Sequence, residues 1–189
     1  TDNNNYPMPL RYKAAYIGSD NYSLENFSAV ININKNNPGI NHNKKQTSVE
    51  LSAEFSYLMP GDVIRLEPSH KRIRTLFRKN SPNNFILITE RCNHRCLMCS
   101  QPPKNIDDSV LMDEAMELID FLPRDLNSFG ITGGEPTLYG KRLVQLIDKI
   151  HTHLPNTALD VLSNGRAFQD KSYALDIAKI NHPDLRIAI

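Results

Sequence analysis

From Phe85 to the end of the chain, short apolar runs alternate with segments in which apolar residues recur at helical spacing. Short apolar runs are typical of strands buried in a parallel sheet, and the helical spacing is typical of helices that pack on one. Strand–helix–strand units of this kind form right-handed crossovers and a parallel sheet. The predicted strands are 85–89 (FILIT), which we expect to be buried on both faces, 128–132 (SFGIT), 158–162 (ALDVL) and 185–189 (LRIAI).

The ends of the three intervening helices can be predicted from single residues. Pro123 ends the first helix and Pro155 ends the second, because proline cannot continue a helix. Asp170 is the expected N-cap of the third helix. The predicted apolar faces contain Met112, Ala115, Met116, Ile119 and Leu122 in the first helix, Leu143, Val144, Ile147, Ile150 and Leu154 in the second, and Tyr173, Ala174, Ile177 and Ile180 in the third.

The first 84 residues differ from the rest, because they show no helical period. Their apolar runs, such as 28–33 and 63–66, are short and bounded by turn formers such as Pro60-Gly61, a pattern typical of short strands. The polar segment 32–46 predicts a mobile loop. We therefore predict a β-rich N-terminal region over residues 1–84 and an α/β region over residues 85–189.

Composition excludes several classes of partner. The chain has 189 residues and a net charge of +1, which provides no field to attract nucleic acid or an anionic membrane. It has no apolar run long enough to span a membrane and no signal peptide, so we expect a cytoplasmic protein. Because the chain begins at Thr1 and ends in an apolar run at Ile189, we also expect a piece of a longer protein that binds a cluster poorly and turns over little.

Sites in parallel sheets lie at the carboxyl ends of the strands, which here are followed by loops 90–108, 133–140 and 163–169. The first loop contains all three cysteines of the chain, Cys92, Cys96 and Cys99, with spacing C-x3-C-x2-C. Three thiolates can bind three irons of a cubane cluster and leave the fourth iron open. A zinc site completed by a histidine is the alternative; the candidates for a fourth ligand are His94 and His70.

The other two loops contain motifs that are unspecific when taken alone. Gly133 and Gly134 permit close approach of the main chain to a ligand, and Glu135 can meet an ammonium group. Ser163 and Asn164 can hydrogen-bond a ribose or a carboxylate, although Asn-Gly is also a common tight turn. Their positions after successive strands make them candidates for one shared site.

The joint pattern of C-x3-C-x2-C, GGEP and SNG resembles the radical S-adenosylmethionine (SAM) superfamily over residues 85–189. The resemblance implies a partial (βα)6 barrel, truncated after about three βα units, with Cys92, Cys96 and Cys99 as ligands of a [4Fe–4S] cluster. It also implies that the open iron binds the amino and carboxylate groups of SAM. The residues that match the SAM-contacting positions are Gly133, Gly134, Glu135 and Pro136 in the GGEP motif, Ser163 and Asn164 in the SNG motif, and Met98, which stands where the superfamily usually has an aromatic residue.

A narrower resemblance involves the run LITERCNHRCLMCSQPPK over residues 87–104, with 131–138 and 161–166 in agreement. This run is similar to the C-type radical SAM maturases of His-Xaa-Ser systems. The resemblance implies an oxidoreductase that modifies a ribosomally made peptide alongside a second radical SAM maturase, with an electron donor such as flavodoxin. A small-molecule enzyme of the deazaguanine type and a non-catalytic, zinc-stabilised binding module remain alternatives.

A basic run precedes the first strand of the α/β region. We predict that it is a solvated strand face, with the hypothesis that it holds an acidic leader peptide. Its residues are Lys71, Arg72, Arg74, Arg78 and Lys79.

Overall fold

A computed structural model describes residues 15–17, 29–33, 47–67 and 70–189 of the chain. The chain divides into two compact units, Thr1–Lys79 and Asn80–Ile189. The division lies five residues before the boundary predicted at 84/85. The mobile loop predicted over 32–46 lies almost wholly outside the described residues.

The first unit contains two small sheets. Three parallel strands, β1 (Ala15–Ile17), β2 (Ala29–Ile33) and β3 (Thr47–Leu51), pair in that order. Two antiparallel strands, β4 (Val63–Glu67) and β5 (Arg72–Phe77), form the second sheet. The core of this unit lies around two buried residues, Ile31 and Leu58, and the half-buried side chains packed on them are Leu51, Phe55, Ile64 and Leu66.

The second unit is an α/β sheet of four parallel strands in sequential order. Its α/β class and parallel sheet agree with the prediction; a barrel is not confirmed by the described strands. Helices α1 and α2, and α2 and α3, contact each other. In chain order the elements are β6 (Phe85–Leu87), α1 (Ser109–Ile119), β7 (Ser128–Thr132), α2 (Lys141–His153), β8 (Ala158–Leu162), α3 (Lys171–Ala178) and β9 (Leu185–Ala188).

The buried core of this unit consists of the inward sides of the strands and the apolar faces of the helices. Helix α1 ends at Ile119, earlier than its apolar face predicts, and Leu122 is buried just beyond it. Helix α2 ends before Pro155, as predicted. The fully buried apolar side chains are Ile88, Met112, Ala115, Leu118, Ile119, Phe129, Ile131, Leu143, Leu146, Ile147, Ile150, Leu154, Leu159 and Val161.

The first strand departs from the prediction of burial on both faces, because Phe85 is 45% exposed. Strand β6 lies at the edge of the sheet and pairs only with β7 among the described strands. The ring of Phe85 lies over Gly130, its partner in β7, where an added Cβ would come within 2.1 Å of the ring. The aromatic ring therefore covers the glycine, while Phe85 as a whole stays half-exposed.

No helix in the described part of the chain is long and apolar enough to cross a membrane.

Candidate active site at the carboxyl ends of the strands

The loop that contains the cysteines, residues 90–108, is closed at its base by hydrogen bonds between its two ends. Asp108, the last residue of the loop, accepts from the main-chain N–H of Glu90 at 2.6 Å and from Thr89 Oγ1 at 2.9 Å. The Lys104 main-chain N–H donates to the Glu90 carbonyl at 3.0 Å, and its Nζ lies 2.6 Å from Glu90 Oε1. We call this segment the cluster loop.

Within the cluster loop, the first cysteine is half-buried and the other two are exposed. The Cys92 Sγ accepts from the His94 N–H at 3.4 Å, and the Cys99 Sγ donates to the Gln101 carbonyl at 2.9 Å. Across residues 47–67 and 70–189, and the shorter described strands, no three His, Cys, Asp or Glu side chains are close enough to hold a metal ion. The three thiols thus lie on one loop without being arranged around a common metal position.

An ion pair between Arg91 and the buried Asp108 lies at the base of the cluster loop, and Arg91 precedes the first cysteine in the sequence. Asp108 is 3% exposed, and its Oδ1 accepts from Arg91 Nε at 3.1 Å and from the Tyr139 hydroxyl at 3.1 Å. The Arg91 guanidinium also lies 5.1 Å from the centre of the Tyr139 ring. Burial alone would raise the pKa of Asp108, but hydrogen bonds from Glu90, Thr89 and Tyr139, with the Arg91 charge, outweigh it and hold this pKa below its ordinary value.

The ion pair was not predicted from the sequence. The sequence does contain a sign of it, because two aspartates, Asp107 and Asp108, precede helix α1. One aspartate is enough to cap a helix, so the other is free to form a different contact. Asp107 Oδ1 accepts from the Ser109 N–H at 3.0 Å, whereas the Asp108 carboxylate makes no capping bond. The second carboxylate is therefore directed to the cluster loop.

The two predicted glycines bring the loop after β7 against the cluster loop. The Gly134 N–H donates to the Thr89 carbonyl at 2.8 Å, and the Glu135 N–H donates to the Arg91 carbonyl at 2.8 Å. A Cβ at Gly134 would lie 2.2 Å from that same Arg91 oxygen, and one at Gly133 would lie 2.6 Å from the Thr89 oxygen. Only glycine permits this approach, because no real Cβ comes so close to a carbonyl oxygen.

The carboxylate of Glu135 connects the loop after β7 with the loop after β8. It is fully buried, and its Oε1 accepts from the Thr137 N–H at 3.0 Å, from Thr137 Oγ1 at 2.5 Å and from Ser163 Oγ at 2.9 Å. Its Oε2 accepts from the Asn164 N–H at 2.6 Å. Two motifs that are unspecific in the sequence are therefore joined through one buried carboxylate.

The loop after β8 also contacts the cluster loop directly. The side-chain amide of Asn164 donates to Asn93 Oδ1 at 2.7 Å, one residue beyond Cys92. Pro136 is buried, and Ser163 and Asn164 are half-buried. Met98 is 92% exposed and lies apart from this packed group. The structure thus brings the GGEP motif, Ser163 and Asn164 together with the beginning of the cluster loop. Residues 96–101 of that loop are exposed, and they include Cys96, Met98 and Cys99.

One family model matches a segment of the chain that contains all three loops of the site. The model of the Radical SAM superfamily matches residues 86–188, more than half of the chain. The chain belongs to the radical SAM superfamily. Membership implies an enzyme whose cofactors are a [4Fe–4S] cluster and SAM, as predicted.

Relatives of this radical SAM chain include GTP 3′,8-cyclases. The one from Desulforamulus reducens is 30% identical over 102 residues, which is 51% of this chain and 31% of that protein. A probable GTP 3′,8-cyclase from Saccharolobus islandicus is 30% identical over 98 residues, with the same shares, and one from Nautilia profundicola is 32% identical over 96 residues, or 47% of this chain and 29% of that protein. The chain spans about a third of the length of these relatives. No solved structure matches it significantly.

The residues of this radical SAM chain fit both cofactors. The three cysteines are the only ones in the sequence, and thiolates are the ligands that iron–sulfur clusters use. Three thiols with no fourth would leave one iron open. Ser163 and Asn164 are half-buried polar residues beside the GGEP loop, and the four hydrogen bonds of the buried Glu135 carboxylate all come from neutral donors in the described part of the chain.

Proposed function

We propose that this chain is the cluster-binding part of an enzyme that cleaves SAM reductively. The observation that carries the proposal is the union of three loops, in which the base of the cysteine loop is hydrogen-bonded to the GGEP loop and the SNG loop. When bound, the reduced cluster and SAM supply a 5′-deoxyadenosyl radical that takes hydrogen from an unactivated carbon.

We assign each group of side chains a role in binding the cluster or SAM. Cys92, Cys96 and Cys99 hold the cluster, and Glu135 orients the SAM amino group with the main chain of 133–136. Ser163 and Asn164 either contact SAM directly or hold the Glu135 carboxylate in position, since both donate hydrogen bonds to it. Met98 and its neighbour Leu97 are exposed apolar side chains on the cluster loop, suited to pack against an adenine ring and to exclude water from it.

We further propose that the parallel sheet is the first half of a (βα)6 barrel. Strands β6 to β9 are parallel and paired in chain order, which is the arrangement of neighbouring strands in a βα barrel. Such a barrel places all of its loops from the carboxyl ends of strands around one site. In such a barrel, the loops after the other strands would hold the substrate, and the substrate would face the cluster loop.

For the substrate we propose a ribosomally made peptide with His-Xaa-Ser repeats. The support is the similarity of residues 87–104 to the C-type maturases of these systems. In this proposal the partners are a second radical SAM maturase and an electron donor such as flavodoxin, and the protein works in the cytoplasm. The β4–β5 pair offers a basic surface for an acidic leader peptide, since Arg72 and Arg74 lie on β5. Arg65 lies directly opposite Arg74 on β4 and pairs with Glu67 at 3.5 Å.

A purine nucleotide is the second candidate substrate. The observation that favours it is that the relatives with about 30% identity are named GTP 3′,8-cyclases, and their similarity covers the α/β region. This similarity favours a nucleoside triphosphate over a deazaguanine-type substrate as the small-molecule alternative.

The first experiment is anaerobic reconstitution with iron and sulfide, followed by dithionite reduction and EPR spectroscopy with and without SAM. A reduced-cluster signal that changes when SAM is added is the expected result, because SAM binds the open iron. Replacement of all three cysteines by serine is the control and should abolish the signal. Retention of zinc in place of iron by the unmodified chain would contradict the proposal.

A second experiment separates the substrates. Synthetic His-Xaa-Ser peptide and GTP are added in turn to the reduced, SAM-loaded chain, and we measure 5′-deoxyadenosine together with peptide or nucleotide binding. If only the peptide binds or increases 5′-deoxyadenosine formation, the result supports the maturase. If only GTP does so, the result supports the nucleotide enzyme. Affinity for a peptide that also contains an acidic leader should fall in the Arg72→Glu/Arg74→Glu double variant but not in the Arg124→Glu/Lys171→Glu control, which reverses two exposed charges of the other unit.

A further inference from the structure

Asp108 is the last residue of the cluster loop, yet its contacts fix the loop's beginning. The carboxylate accepts four hydrogen bonds, from the Glu90 N–H, Thr89 Oγ1, Arg91 Nε and the Tyr139 hydroxyl, at distances between 2.6 and 3.1 Å. A carboxylate has about four acceptor positions, so this one is saturated. Three of the four donors belong to the residues that lead directly into Cys92.

Arg91 is the residue through which Asp108 acts on the first cysteine. Its main-chain N–H donates to Thr89 Oγ1 at 3.1 Å, its carbonyl accepts from the Glu135 N–H at 2.8 Å, and its side chain pairs with Asp108 over the Tyr139 ring. Every polar group of the Arg91 main chain is thus bonded. Cys92 follows by one peptide bond, and it is half-buried where Cys96 and Cys99 are exposed.

The pair also sets the charge on the residue that precedes Cys92 in the sequence. Arg91 adds one positive charge next to Cys92, and the nearly buried Asp108 cancels it at a distance of 3.1 Å. Charges near an iron–sulfur cluster shift its reduction potential, and net positive charge favours the reduced state. The position of the first ligand and the charge near it therefore depend on the same carboxylate.

We propose that Asp108 is a positioning residue for the cluster: through Arg91 it holds Cys92 against the GGEP loop, and it neutralises the Arg91 charge beside the cluster. This inference rests on the proposed function, since it assigns a role toward the cluster that Cys92 is proposed to bind. It predicts effects on cluster retention and on potential that a purely structural residue would not have.

The experiment compares anaerobically reconstituted variants of the chain by iron content, the rate of iron release to a chelator, and the midpoint potential from EPR-monitored titration. In Asp108→Asn we expect faster iron release and a higher potential than in the unmodified chain, because one negative charge is lost. In Arg91→Gln we expect faster release and a lower potential. The Arg91→Gln/Asp108→Asn double variant should recover a potential close to the unmodified value while still releasing iron quickly.

Two further variants keep the test decisive. Asp125→Asn, which removes an exposed carboxylate after helix α1, is the matched control and should behave as the unmodified chain. Tyr139→Phe removes one donor to Asp108 and keeps the ring under Arg91, so it remains informative if circular dichroism shows that Asp108→Asn does not fold. We expect faster iron release in Tyr139→Phe with little change in potential.

Failure of this inference can be told apart from failure of the proposed function. If the unmodified chain binds a SAM-responsive cluster but the Arg91 and Tyr139 variants, and Asp108→Asn where it folds, match Asp125→Asn in potential and iron release, the positioning role is wrong and the function stands. If the unmodified chain takes up no cluster, both are wrong.

Discussion

The main-chain N–H of Asn164 donates to Oε2 of Glu135 at 2.6 Å, which ties the loop after β8 to the loop after β7. Ser163 Oγ contacts the other carboxylate oxygen of the same residue at 2.9 Å. Together with the two bonds from Thr137, these contacts give the buried carboxylate four neutral donors. Glu135 therefore has a structural role in joining the loops and a carboxylate suited to a cationic ligand.

Glu135→Gln should separate these two roles. The glutamine amide group cannot accept the hydrogen bonds that one carboxylate oxygen accepts now, so we expect a loss of about 1–3 kcal/mol in the free energy of unfolding. Iron uptake should remain near that of the unmodified chain, whereas the SAM-induced change in the EPR spectrum should be lost. Urea unfolding and EPR of the reconstituted chain measure the two effects.

The control for that variant is Asp125→Asn, which removes an exposed carboxylate after helix α1. We expect it to change neither unfolding by more than about 0.5 kcal/mol nor the response to SAM. A normal SAM response in Glu135→Gln would rule out the contact between this carboxylate and SAM.

Gly134→Ala should open the junction between the GGEP loop and the cluster loop. Because the added Cβ would lie 2.2 Å from the Arg91 carbonyl, the backbone must move and the Glu135–Arg91 hydrogen bond must lengthen or break. We expect destabilisation of about 2–4 kcal/mol, measured by urea unfolding, and a strong reduction in the iron retained after reconstitution.

Gly140→Ala is the comparison for this glycine. An added Cβ there meets no atom within 4 Å, but φ is +51°, so the variant carries backbone strain of about 1 kcal/mol without a clash. Its iron content should stay near that of the unmodified chain. Equal iron loss in both variants would show that backbone strain, rather than the Gly134 approach, controls cluster binding.

The burial of Tyr173 leads us to predict a loss of folding stability at high pH. Its hydroxyl is buried and, within the described residues, has no hydrogen-bond partner; burial first and the Glu135 charge second raise its pKa from 10.0 to about 12. Between pH 10 and about 12 the unfolded chain therefore releases a proton that the folded chain keeps. The contribution of Tyr173 to stability is complete below pH 10 and is lost as the pH rises toward 12.

The variant Tyr173→Phe removes this titration. At pH 8 we expect its stability to equal or slightly exceed that of the unmodified chain, because an unpartnered buried hydroxyl is deleted. Between pH 9 and 11 the unmodified chain should lose more stability than the variant, as measured by urea unfolding at each pH. Tyr57→Phe, at an exposed tyrosine, should follow the unmodified chain. Parallel pH curves for all three proteins would show that the Tyr173 pKa is ordinary.

Removal of the metal should lower stability reversibly. A cluster that binds the folded chain and not the unfolded chain stabilises the fold, and each kcal/mol gained raises the melting temperature by about 2–4 °C for a chain of this size. We expect the reconstituted chain to melt higher than the metal-free chain, and a chelator to abolish the difference. The chain without cysteines should show no such difference.

Local sequence patterns were sufficient for most elements of the α/β unit. Strands β7 and β8 have the predicted bounds, because an apolar run between turn formers specifies a buried strand without reference to its neighbours. Helix α3 begins after Asp170, whose Oδ1 accepts from the Ser172 N–H at 2.8 Å, since capping involves only residues close in sequence. Phe85 was predicted buried and is half-exposed, because a run of apolar letters does not reveal which strand lies at the edge of a sheet.

By itself, the sequence determined the alternation of strands and helices, the family, and the loop on which the cysteines lie, because each depends on residue type and short spacing. Only the tertiary structure decided which atoms meet between the loops. The contacts of Asp108 with Arg91 and Tyr139 span 17 and 31 residues, and that of Glu135 with Asn164 spans 29. The physical reason is that parallel pairing brings the carboxyl ends of successive strands to one edge, so that residues distant in sequence share a buried carboxylate.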